Sequence, residues 1–187
     1  MQDTTPTVAV RDSSDGDVPA LARVYGHWVT HGFASFELEP PGEAEMAQRR
    51  ATVLAAGYPH LVAEDRQTGA VLGYAYASAY RTRPAYRFAV EVSVYVAPEA
   101  QRRGAGDALL AELVRRLEGA GFRLAIAVIG DSENTPSIGL HLRHGFARAG
   151  LLPAIGWKHG RWVDSVLMTR SLGEGAGSPP HQEIDRS

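Results

Sequence analysis

The stretch from Phe88 to Leu117 constrains this chain most. Val90, Val92, Val94 and Val96 alternate with Ala89, Glu91, Ser93 and Tyr95, a two-residue period that an extended strand satisfies and a helix does not. Gln101-Arg102-Arg103-Gly104-Ala105-Gly106 follows, and then Leu109, Leu110, Leu113, Val114 and Leu117 recur at helical spacing. A strand, two arginines, two spaced glycines and a helix start make a recipe for holding phosphate. Glycine lets the backbone approach closely, and the free N–H groups of the helix start point at oxygen along a favourable dipole. The competing reading is an ordinary turn whose glycines only permit the bend. Two familiar phosphate loops do not fit. Gly106 is followed by Asp107-Ala108 where a P-loop needs lysine and a hydroxyl residue, and Leu109 stands where a dinucleotide fingerprint needs a third small residue.

The rest of the chain supplies one domain around that unit. Thr7–Arg11 alternates as a strand, Ser13, Ser14 and Asp15 offer caps for a helix to about His31, and Gly32 stops it. Glu43–Ala56 reads as a second helix. His60–Asp65 and Val71–Tyr80 read as a hairpin turned by Gln67-Thr68-Gly69. Beyond Gly121, Arg123–Ile129 is an apolar strand, and Thr135-Pro136 opens a short helix with threonine as cap. Gly145 closes that helix, and strands follow near Phe146–Leu152 and Trp162–Thr169. The order β, α, α, a β meander, then β-α-β-α-β-β gives an α/β (α+β) fold with a mixed sheet. With 187 residues there is room for one well-filled core. Residues 1–6 are expected to be flexible, 7–171 to form the domain and 172–187 to be a disordered, glycine-rich tail.

Composition removes several function classes. The chain has no cysteine, which excludes thiol nucleophiles and thiolate metal sites. A net charge of −2 gives no electrostatic footprint for nucleic acid. No apolar run is long enough for a membrane span, and Met1–Pro6 lacks the pattern of a signal peptide, so a cytoplasmic protein is expected. His141 and His144 stand three apart with no clear third ligand, so no metal site is expected.

The loop Gln101-Arg102-Arg103-Gly104-Ala105-Gly106 resembles the Gln/Arg-x-x-Gly-x-Gly/Ala segment of the GNAT acetyltransferase superfamily, and Asn134 with Leu140-His141-x-x-x-Gly145-Phe146 resembles its later segment. Arg83-x-x-Tyr86, Glu91-Val92-Ser93-Val94-Tyr95-Val96, Ala127-Val128-Ile129-Gly130, Pro136-Ser137 and Gly156–Trp162 are similar to the phosphinothricin acetyltransferase group, over roughly residues 8 to 170. The resemblance implies a mostly antiparallel sheet of about seven strands flanked by about four helices. It also implies acetyl-CoA as co-substrate, with transfer to the amine of phosphinothricin, methionine sulfone or sulfoximine, or a related amino acid, and a homodimer. An antibiotic or herbicide resistance role accompanies that group. Acetylation of a protein or peptide amine is the alternative within the fold, and a non-catalytic acyl-CoA-binding module the alternative outside it.

Amine acetylation needs the amine deprotonated, the thioester carbonyl polarised and the leaving thiolate, with a pKa of about 8.5, supplied with a proton. The resemblance assigns Glu91 to catalysis; read by itself, it is a strand carboxylate that burial can raise in pKa or an arginine can pair. His141 stands where the wider superfamily carries a tyrosine acid and the phosphinothricin group carries histidine, so it can serve as the base in place of Glu91 or as the acid toward the thiolate. Backbone N–H groups near Val94, Tyr95 and Val96 are implied to hold the pantetheine arm and polarise the carbonyl. Gln101, Arg102, Arg103, Gly104, Ala105, Gly106 and Asp107 are implied to grip the pyrophosphate. Asn134 either bonds the pantetheine amide or caps its helix. Arg81, Arg83 and Tyr86 offer donors to an anionic amino acid, and Phe36 lines its pocket. Arg81 stands where the group usually has lysine. Trp157, Lys158, His159 and Trp162 read as a turn and strand near a subunit contact.

Overall fold

The computed structural model describes residues 7–180. Seven strands form one sheet: β1 (Val8–Asp12), β2 (His60–Asp65), β3 (Val71–Ala79), β4 (Ala89–Val96), β5 (Leu124–Gly130), β6 (Ala147–Lys158) and β7 (Arg161–Ser171). Their spatial order is β1-β2-β3-β4-β5-β7-β6. Every neighbouring pair is antiparallel except β4 and β5, which run parallel because a helix crosses over between them. The helices are α1 (Val18–His31), α2 (Glu43–Ala55), α3 (Ala105–Gly119) and α4 (Thr135–Arg143). The expected strand and helix order is the observed one.

The two faces of β4 are covered differently. On the valine face, Val90 and Val92 are buried, and Val96 reaches the first turn of α3 beside Gly106. On the other face Tyr95 meets Tyr25 of α1 edge-on, with ring centroids 5.0 Å apart. Leu21, Val24 and Val29 of α1 and Leu109, Leu110, Leu113 and Leu117 of α3 are buried. At roughly 25 cal/mol per Å², burial of such side chains is what holds both helices to the sheet.

Two helix starts depart from the expectation. Ser13 to Asp15 do not open α1; Asp15–Asp17 is a 3-10 turn and the α-helix begins at Val18. The cause is Asp17, whose buried carboxylate accepts from the Ser14 N–H at 2.7 Å and from the Arg11 guanidinium, fixing the turn ahead of the helix. In α4 the cap is Asn134, not Thr135: its Oδ1 accepts from the Ser137 N–H at 3.2 Å, leaving Thr135 as the first helical residue. Asparagine is the stronger cap of the two.

Gly173 onward reads as disordered in sequence, yet residues 173–180 run as turns against the domain. The Arg123 guanidinium donates to Ser178 Oγ at 3.3 Å and to the Pro179 carbonyl at 3.4 Å, and Leu172 ahead of them is fully buried. The expectations for residues 1–6 and 181–187 lie outside the described residues.

Candidate active site

β4 and β5 pair from Ala89 with Leu124 to Val92 with Ala127, and there the ladder stops, although β4 runs on to Val96 and β5 to Gly130. Strand peptides alternate in direction, and Ala97 bonds back to Leu72 of β3, so the N–H and C=O of Val94 and Val96 point toward β5, where no partner strand remains. The Val96 carbonyl is taken by the Trp28 indole N–H at 2.8 Å. The gap is a cleft of about 40 Å³ lined by Val92, Val94, Val128, Gly130, Asn134 and His141 among others. Its far side is set by Gly130. A side chain there would lie 2.0 Å from the Phe33 carbonyl, so only glycine lets the segment after α1 cross the end of β5.

Beyond Val96 the glycine loop leads into α3, and its turn leaves a cradle of backbone N–H groups at the helix start. Arg102 (φ 59°) and Gly104 (φ 83°) both take left-handed backbone conformations, which turn the chain into α3. The first bond onto the helix start runs from the Ala108 N–H to the Gly104 carbonyl. The N–H groups of Ala105, Gly106 and Asp107 therefore stand ahead of the helical ladder, at the positive end of its dipole. Side chains divide otherwise. Arg103 pairs with Asp65 at the β2–β3 turn, and Asp107 pairs with Arg143 and His144, each at 3.2 Å. These two side chains fasten the loop to its surroundings. Gln101 and Arg102 remain exposed.

On the other face of β4, Glu91 is half-buried beside Tyr76 and Ser93. Burial pushes its carboxyl above the ordinary range, and the positive charge of Arg81 opposes that rise. Arg81, two residues past the end of β3, acts on Glu91 through its charge and makes no ion pair with it. Arg83 and Tyr86 lie on the exposed rim of the same β3–β4 connection, Tyr86 edge-on to Tyr80 with centroids 6.0 Å apart. Phe36 closes the opposite side, its ring lying where side chains of Gly130 and Gly156 would be.

His141 is buried in α4 at the cleft. Its Nδ1 stands 2.8 Å from the Ser137 carbonyl, which can only accept, so Nδ1 carries the hydrogen and Nε2 holds the lone pair. No partner reaches Nε2 among the described residues. Burial holds the ring below its ordinary pKa, which keeps it neutral near pH 7. In that state Nε2 can take a proton but has none to give. Asn134 uses its Oδ1 as cap while its Nδ2 donates to the Gly130 carbonyl at 3.4 Å, so the capping alternative holds and the side chain also lines the cleft.

Sequence reasoning did not find Trp28, Gly130 or Gly156, nor the tie between Tyr25, Ser35, Glu37 and Arg49 under the α1–α2 connection. Trp157 and Trp162 pair across the β6–β7 turn and are exposed, whereas Lys158 between them is buried. Among the described residues no group of three His, Cys, Asp or Glu side chains is arranged to hold a metal.

Comparison with known proteins accords with this geometry. The acetyltransferase (GNAT) family model matches residues 25–146. The chain is 52% identical to phosphinothricin N-acetyltransferase of Alcaligenes faecalis, over 91% of this chain and 86% of that one. It is 36% identical to the L-methionine sulfoximine/L-methionine sulfone acetyltransferase of Pseudomonas aeruginosa, covering 92% and 99% of the two. Among solved structures, a GNAT superfamily phosphinothricin acetyltransferase from Sinorhizobium meliloti in complex with AcCoA superposes with a TM-score of 0.91 at 48% identity, covering 95% of each chain. A sheet split beside a helix-start cradle, in a chain this similar along its length, makes the protein a member of the GNAT acetyltransferase family.

Proposed function

We propose that the protein transfers the acetyl group of acetyl-CoA to the amine of a small amino acid of the phosphinothricin or methionine sulfoximine kind. The observation that carries this reading is a half-buried Glu91, its carboxyl pushed up by burial and opposed by the charge of Arg81, standing on β4 one residue before the ladder with β5 ends. The named relatives act on compounds of that class.

The residues present fit acetyl-CoA. The N–H groups of Ala105, Gly106 and Asp107 suit its pyrophosphate, and the Val94 and Val96 peptides suit its pantetheine arm. Acetyl-CoA brings the thioester whose C–S bond breaks as the amine nitrogen bonds to the carbonyl carbon. Glu91 takes the proton from the incoming ammonium, because its raised pKa makes it a better base than an ordinary carboxylate. His141 Nε2 is a second acceptor. A proton reaching the departing thiolate through His141 must first have been delivered to that ring. Arg81 meets the substrate's anionic group; Arg83 and Tyr86 hold it from the rim, and Phe36 packs its carbon chain.

The exposed apolar residues of edge strand β6, Leu151, Leu152, Ile155 and Trp157, suit a second copy of the chain, and support a homodimer. No described helix is long and apolar enough to cross a membrane, which agrees with a cytoplasmic enzyme. Release of free thiol from acetyl-CoA, followed across a panel of amino acids that includes phosphinothricin, methionine sulfone and methionine sulfoximine, tests the activity. Turnover of a peptide amine in preference to all of them would replace this reading, and cofactor binding without any turnover would remove it.

A further inference from the structure

Lys158, at the end of β6, is 1% exposed. It donates to the Ser35 carbonyl at 2.6 Å, across 123 residues of chain. A lysine amine is expensive to bury, and here desolvation lowers its pKa while the charge of Glu37 opposes that drop. A group held at that cost is expected to hold something in return. What it holds is the segment between α1 and α2. Ser35 also shares a hydrogen bond with the Tyr25 hydroxyl at 2.8 Å, and Glu37 accepts from the same hydroxyl and from Arg49.

Phe36 sits between Ser35 and Glu37, so its backbone is fixed on both sides. Its ring lies 2.7 Å from where a side chain on Gly156 would begin, and Gly156 precedes Lys158 by two residues on the same strand. One short stretch of β6 therefore supplies both the seat for the Phe36 ring and the anchor for the peptide next to it. We infer that Lys158 is a positioning residue for the amine substrate: through the Ser35 carbonyl it sets the place of Phe36, and hence the shape of the amine pocket. This rests on the reading that Phe36 lines that pocket. The hydrogen bonds of this network do not reach the acetyl-CoA elements between Val94 and Asp107, which meet it through the edge-on contact of Tyr95 with the Tyr25 ring.

The test separates the two substrates. Lys158→Met keeps the apolar stem, ends one atom short of the ammonium and removes the donor. It is expected to raise the KM for the amine by about tenfold or more, as loss of a charge-assisted bond implies, with the KM for acetyl-CoA within about twofold of the parent. Lys158→Gln, of the same reach as methionine but still a donor, is expected to lie between. Phe36→Ala, measured alongside, tests the underlying reading. If Phe36→Ala leaves the amine KM unchanged, the pocket reading fails and the inference with it. If Phe36→Ala raises the amine KM but Lys158→Met does not, only the inference fails. A rise of both KM values together with a lowered melting temperature would make Lys158 a general structural residue and overturn it. So would failure of both Lys158 variants to fold.

Discussion

Trp28 on α1 donates its indole hydrogen to the carbonyl of Val96, the last residue of β4, at 2.8 Å. The bond spans the place where β4 has lost β5 as a partner, so one helix of the fold satisfies a peptide group that opening the sheet would otherwise leave bare. Trp28→Phe keeps most of the ring and removes the donor. It is expected to cost about 1 kcal/mol of stability, the net worth of a hydrogen bond whose acceptor is only part-buried. Urea unfolding of the two proteins measures this; an unchanged midpoint would show that water replaces the indole without loss.

Gly104 has φ 83°, and nothing lies within 4 Å of where a side chain would start. Crowding is thus no obstacle to a substitution there, and conformation is. A β-branched residue resists the left-handed region, at a cost of about 1–3 kcal/mol. Gly104→Val is therefore expected to turn the N–H groups of the α3 start away from their present direction and weaken acetyl-CoA binding by about tenfold or more. The turnover of whatever cofactor still binds should change much less. Calorimetric titration beside steady-state rates distinguishes these; intact affinity would mean that the cradle does not hold the pyrophosphate.

Much of this was legible in the sequence because it is local. The alternation around Glu91, the glycines of the cradle and the amphipathic α3 each announce themselves within about a dozen residues. What was missed spans the chain. Nothing near Trp28 marks it as the partner of a carbonyl 68 residues on, and nothing near Lys158 marks it as buried. Gly130 reads as the end of an apolar strand, and only the crossing of Phe33 shows why it must be glycine. Arg103 and Asp107 show the opposite case: their positions in the motif were legible, but their side chains are spent on Asp65, Arg143 and His144. The motif locates the backbone, and tertiary pairing decides what the side chains do.

Glu91 and Arg81 give a prediction about pH. A base must be ionised to act, so the acidic limb of kcat should follow the Glu91 carboxyl and lie above the ordinary carboxylate value. The Arg81 charge lowers that pKa, and removing it raises the pKa further. Arg81→Ala is therefore expected to move the acidic limb of kcat to higher pH, besides raising the amine KM. Glu91→Gln should cut kcat by about a hundredfold or more, with acetyl-CoA affinity within about twofold. A limb that stays in place in Arg81→Ala, with Glu91→Gln near full activity, would transfer the base role to His141.

His60 stands apart from the cleft and governs acid stability instead. It is buried beneath α2, its ring stacked near Tyr74 and Tyr76 with centroids 5.7 and 5.5 Å away. Desolvation, helped by the charge of Arg50, lowers its pKa from 6.5 to about 4. The unfolded chain takes up this proton near pH 6.5 and the folded protein only near pH 4, so between those values unfolding is favoured as pH falls. The contribution is complete above about pH 6.5 and is lost on descending toward about pH 4, with an upper bound of about 3 kcal/mol. Asp17, lowered from 3.8 to about 2 chiefly by its bond to Arg11, adds a second loss below that window. His60→Phe keeps an aromatic ring in the stack and removes the titrating group. It should flatten stability between pH 6.5 and 4 while leaving the steeper fall at lower pH. Urea midpoints of both proteins across that range decide it, and an equal slope in the variant would place the acid sensitivity in some other group.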